Sequence, residues 1–74
     1  MNPLRAGLER DGWYIRVTRW AQGWQVGAYW PSFPSKFGAS SGWLSTEDEA
    51  WADLAPKIAA VKLLPEFPGK PASE

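Results

Sequence analysis

Apolar and polar positions alternate along two stretches of the first half of the chain, then give way to a helical stripe. Trp13-Tyr14-Ile15-Arg16-Val17-Thr18-Arg19-Trp20 and Trp24-Gln25-Val26-Gly27-Ala28-Tyr29-Trp30 are rich in aromatic and β-branched residues with a period of two, which predicts two strands. Ala21-Gln22-Gly23 lies between them, with Gly23 free to take positive φ, so the strands form a hairpin. A loop of even length pairs Val17 with Ala28 and Ile15 with Trp30. That register gathers Ile15, Val17, Val26, Ala28 and Trp30 on one face and leaves Tyr14, Arg16, Thr18, Trp20, Gln25 and Tyr29 on the other. A three-residue loop with a bulge at Gly23 sets Ile15 against Tyr29 and Trp20 against Trp24, mixing apolar and polar residues on both faces. The even loop is preferred because it alone makes one clean core face.

Pro31 to Gly42 is rich in Pro, Ser and Gly and reads as a long loop, of the kind that is often functional or flexible. A short third strand is expected around Gly42-Trp43-Leu44. Thr46 with Glu49 three residues on has capping-box spacing, and Glu47, Asp48 and Glu49 suit the positive end of a helix dipole. Trp51, Leu54, Ile58 and Val61 then recur at helical spacing and supply the stripe that covers the sheet; Trp30 and Trp43 are expected to join that core. Pro56 interrupts the stripe, as a kink or as the first position of a second segment running to Leu64. The predicted fold is α+β: a three-stranded antiparallel sheet packed on one C-terminal helix over residues 13–64. An N-terminal arm over 1–12, closed by the Asp11-Gly12 turn pair, precedes it, and a disordered tail over 65–74 follows.

The hairpin positions Tyr14, Val17, Trp20, Gly23, Trp24 and Ala28, followed by Gly42-Trp43-Leu44-Ser45-Thr46-Glu47-Asp48-Glu49-Ala50 at the helix start, resemble the AP2-type DNA-binding domain and the N-terminal arm-binding domain of phage integrases. The resemblance covers residues 13–61. It implies a three-stranded sheet backed by one helix, with the exposed face laid in the DNA major groove and Arg16 and Trp20 at contact positions. Thr18, Gln25, Gly27 and Tyr29 stand where that family tends to place further charge, and the 31–42 segment is longer than its usual second turn.

Composition narrows the function. Six tryptophans in 74 residues are more than so small a domain hides easily, which points to a recognition surface. With no cysteine and no histidine, neither a disulfide framework nor a thiolate or imidazole metal site is expected, and no cofactor. No nucleophile and base stand at a catalytic spacing, so the chain is read as a non-enzyme. The Glu47/Asp48/Glu49 cluster is read as dipole complementation rather than a metal site. Net charge is zero but unevenly spread: residues 1–45 hold five basic against two acidic side chains, and residues 46–74 hold three against six. A protein that binds nucleic acid alone draws affinity from excess positive charge, so this balance favours another partner. No apolar run is long enough to span a membrane and the first residues lack a signal-peptide pattern, so a cytoplasmic setting is expected.

The candidate binding face is Tyr14, Arg16, Trp20, Gln25 and Tyr29, residue types in which interface energy concentrates, with Arg19 beside it. Phe33, Lys36 and Phe37 on the long loop form a second contact zone. A protein partner is the leading reading. A nucleic acid, with bases stacked on Trp20 or Tyr29 and phosphates on Arg16 and Arg19, is the alternative, and a homodimer closed through the same face also stays open. In size and charge balance the chain is similar in general character to small phage or mobile-element proteins that block a host machine, such as anti-CRISPR proteins or polymerase inhibitors.

Overall fold

A computed structural model describes residues 2–68. The element order is α1 (Pro3–Arg10), β1 (Tyr14–Trp20), β2 (Gly23–Tyr29), β3 (Gly38–Ser40) and α2 (Glu47–Lys62). The three strands form one antiparallel sheet in the order β1-β2-β3, backed by the C-terminal helix, in agreement with the predicted α+β class.

Residues 2–12 are not an arm. Asn2 caps α1 by accepting from the backbone N–H groups of Leu4 at 3.0 Å and Arg5 at 3.2 Å, and Pro3 takes the first helical position, where a missing N–H costs nothing. The helix ends in a Schellman motif. Gly12, at φ +92°, donates to the Glu9 carbonyl at 3.1 Å and Trp13 donates to the Leu8 carbonyl at 3.0 Å. Leu8 and Trp13, the hydrophobic pair that goes with this cap, are both buried.

The β1–β2 turn holds only Ala21 and Gln22, with Trp20 opposite Gly23. Val17 therefore faces Val26 and Ile15 faces Ala28, two residues away from the expected pairs, while the division into faces is as expected, because a shift of two preserves side-chain parity. Gly23 sits at φ +130°, and a Cβ there would collide with the Leu44 carbonyl oxygen.

The third strand lies inside the segment read as a loop, at Gly38–Ser40, with Ala28 opposite Ala39 and Tyr29 opposite Gly38. Only Pro31 to Lys36 remain as the connection, closed where the Trp30 N–H donates to the Phe37 carbonyl at 2.7 Å. Leu44 makes an isolated bridge to Trp24. Between β3 and that bridge the chain carries one extra residue, a bulge. Ser41, buried there, accepts from the Val26 N–H at 2.9 Å and donates to the Gly42 carbonyl at 2.8 Å. Leu44 opposite Trp24 turns inward, so its neighbour Trp43 points out and is exposed, contrary to its expected place in the core.

α2 is one helix of 16 residues with the predicted Thr46/Glu49 capping box, and it runs through Pro56 without a break. Pro56 and Ala52, whose carbonyl loses its usual donor to the proline, are both exposed, so water can serve that group. α2 lies on β2 and β3 and α1 lies on β1, both on the Ile15/Val26/Ala28 side. Trp51, Leu54 and Ile58 fill the space beneath. One end of this core is aromatic. Phe67, 6% exposed, stacks on Trp13 at 5.5 Å and meets Trp30 at 5.2 Å and Phe37 at 5.6 Å between ring centroids. Residues 65–68 are thus packed rather than a free tail; residues 69–74 lie outside the described residues.

Candidate functional site

With both helices on one side, the other face of the sheet carries no covering element among the described residues. β1 contributes Tyr14, Arg16, Thr18 and Trp20 to it, and β2 contributes Gln25, Gly27 and Tyr29. Tyr14 is 63% exposed and Trp20 64%. Arg16 is exposed and has no ion-pair partner among the described residues.

Tyr29 is held differently. Its ring lies back along the strand over Gly27 and against Gly38: a Cβ at Gly27 would stand 2.7 Å from the Tyr29 hydroxyl, and one at Gly38 would stand 2.5 Å from its ring. The two glycines leave room for a half-buried ring that no larger residue there would permit. Gln25 is also anchored, since its Nε2 donates to the Ser41 carbonyl at 3.1 Å.

A groove of about 630 Å³ runs beside this ring, lined by Tyr14, Arg16, Tyr29, Pro31, Pro34 and Ser35. A smaller recess of about 130 Å³ shares Arg16 and Tyr29 and continues past Thr18 and Gln25 to Ser40. Arg16 stands where the two meet, its guanidinium offering five donors beside apolar rings.

Five of the predicted residues, Tyr14, Arg16, Trp20, Gln25 and Tyr29, are brought together on this face. Arg19 is not among them. Strand alternation sends it to the opposite side, where its guanidinium lies 5.2 Å above the Trp24 ring. Phe37, expected in the loop contact zone, is 4% exposed and belongs to the core, drawn in by Phe67. Phe33 is exposed, with its ring centroid 6.2 Å from that of Phe37, and Lys36 pairs with Glu66 at 3.5 Å, so both sit by the aromatic end and neither lines the groove. Pro31, Pro34 and Ser35, which do line it, carry no sequence signal for that role beyond their membership of a Pro/Ser-rich loop following Tyr29.

A second recess, about 520 Å³ between α1 and the start of α2, is lined by charged groups that satisfy one another. Arg5 pairs with Glu47 at 3.2 Å and Glu9 at 3.8 Å, and Asn2 donates to Asp48 at 3.2 Å. Among the described residues no group of three or more His, Cys, Asp or Glu could hold a metal ion, and no helix is long and apolar enough to cross a membrane. No protein family, curated protein or solved structure matches the chain.

Proposed function

We propose that the chain is a non-catalytic binding protein whose open sheet face engages a protein partner. The observation that carries this reading is the exposure of Tyr14 and Trp20 around Arg16, which has no ion-pair partner among the described residues, on the side that neither helix covers. Interface energy concentrates in Trp, Tyr and Arg anchors, and the adjoining groove offers a place for a partner side chain to insert. One guanidinium on the face and zero net charge favour protein over nucleic acid, whose phosphates demand several cations. At a finer level, a small, charge-balanced chain with one adhesive face suits an inhibitor that covers a working surface of a larger assembly.

Affinity capture from the native host, read by mass spectrometry, tests this with the parent alongside Arg16→Ala and Trp20→Ala. A protein held by the parent and bound about 30-fold more weakly by each folded variant is the expected result, matching a loss of about 2 kcal/mol per anchor. Equal capture by all three overturns the choice of face. Capture of nucleic acid whose retention collapses between low and physiological salt replaces the protein partner with the DNA-binding reading.

A further inference from the structure

The two edges of the sheet are unlike. β3 is three residues long, its Ser40 carbonyl accepts from the Lys57 ammonium at 3.2 Å, and the following Gly42 N–H donates to Asp53 at 2.9 Å, so α2 seals that side. β1 is seven residues long, and its outer edge accepts or donates no such bond among the described residues. The orientation of its backbone follows from β2. Trp24 and Val26 turn their N–H and C=O groups towards Leu44 and Ser41, so the alternate residues Gly23, Gln25, Gly27 and Tyr29 bond to Trp20, Thr18, Arg16 and Tyr14. The N–H and C=O groups of Ile15, Val17 and Arg19 therefore point outward, and among the described residues none of them has a hydrogen-bond partner. α1 packs on the core face of β1 without bonding to these groups, and an edge of this length without proline or bulge is a template for a further strand.

We infer that this edge pairs antiparallel with β1 of a second copy of the chain, about a twofold axis through Val17, to give a dimer with one continuous sheet. Among twofold registers, that one alone pairs all three outward residues within the strand without setting one arginine against another. Val17 meets Val17, and Ile15 of each copy meets Arg19 of the other; each of these three pairs exchanges two N–H···O=C bonds, so every outward group is used. On the open face Tyr14 of one copy stands across from Trp20 of the other, an aromatic cross-strand pair, and Arg16 stands across from Thr18. No arginine opposes another. An axis through Arg19 would set the two Arg19 side chains against each other, and an axis through Ile15 would leave Arg19 outside the ladder. An axis through Arg16 would set the two Arg16 side chains against each other and leave Arg19 opposite Trp13, outside the strand, and an axis through Thr18 would leave Ile15 opposite the turn residue Ala21. This contact uses the strand edge, not the face assigned to the protein partner, and joins two such faces side by side.

Sedimentation of the full chain over a concentration series, with amide exchange in parallel, tests the inference. The expected mass rises towards twice the 8.3 kDa of one chain, and the amides of Ile15, Val17 and Arg19 become protected as it does. Val17 is 36% exposed, so Val17→Lys and Val17→Asp can fold, and each places like charges on the axis. Each variant alone is expected to dissociate at least tenfold more readily than the parent, and an equimolar mixture of the two to dimerise again. A chain that stays at 8.3 kDa throughout overturns the inference, as does a dimer whose Val17 amide exchanges as fast as in dilute solution. A Lys/Asp mixture that stays monomeric also counts against it.

Discussion

The carboxylate of Glu47 accepts from the indole N–H of buried Trp51 at 3.0 Å and from the Arg5 guanidinium at 3.2 Å, tying α1 to the first turn of α2 through one side chain. Truncation there strands a donor on the largest core residue. Glu47→Ala is expected to cost about 1–3 kcal/mol in urea unfolding, and Glu47→Gln, which keeps an acceptor for the indole, distinctly less. Equal losses would mean that the charge and not the hydrogen bond matters. Asp53 answers to pH instead. The Gly42 N–H and then the Lys57 ammonium hold its carboxyl below the ordinary value. A folded-state pKa lowered in this way contributes stability that is complete above the unfolded value of about 4 and fades as pH falls through the folded value. Thermal midpoints of the parent should therefore exceed those of Asp53→Asn near neutral pH, with the gap closing below about pH 4. A gap that widens with acid would contradict the assignment.

Among the elements, the hairpin turn and the β2–Leu44 bridge share one critical position. Gly23 combines φ +130° with close approach of the Leu44 carbonyl, whereas Gly12 has φ +92° and open space around its missing Cβ. Gly12→Ala bears the backbone strain alone, about 1 kcal/mol, while Gly23→Ala must also push Leu44 away and is expected to cost about 2 kcal/mol or more. Amide exchange at Leu44, whose N–H donates to the Trp24 carbonyl at 2.9 Å, should rise sharply in the second variant only. These positions also mark how far the elements are legible in the chain. Alternation within β1 puts Tyr14, Arg16 and Trp20 on one side whatever the turn length, but how the faces of the two strands match, and the pairs themselves, depend on Ala21-Gln22 closing the turn alone. Gly38-Ala39-Ser40 has no β-branched or aromatic residue and becomes a strand because Tyr29 and Ala28 present a pairing edge, which is tertiary context. α1 was signalled by Asn2-Pro3 at its start, Leu4 and Leu8 one turn apart, and Asp11-Gly12 at its end, obscured by the same Pro, Gly and charge that suggest an arm. The groove wall of Pro31, Pro34 and Ser35 depends on how a loop folds back, which no periodicity records.

In the whole molecule, apolar and aromatic side chains are divided between two tasks. Trp13, Trp30, Phe37 and Phe67 interlock at one end of the core, and Phe67 reaches them from beyond α2, flanked by Pro65 and Pro68. It is joined to that core by ring contacts to residues far earlier in the chain, which is why the surrounding prolines read as a free tail. Tyr14 and Trp20 lie on the far side of the sheet and are exposed. A chain of this length is held by about 4–11 kcal/mol in total, and a buried Phe→Ala change removes about 3–5 kcal/mol. Phe67→Ala is therefore expected to bring the protein close to unfolding at room temperature, with a large fall in the urea midpoint and loss of the near-ultraviolet tryptophan signal. Trp20→Ala deletes a larger side chain yet should shift stability by no more than about 0.5 kcal/mol, because its ring is already in water in the folded state. If Trp20→Ala instead unfolds the protein as readily as Phe67→Ala, the open face is a structural layer and cannot be the surface held ready for a partner.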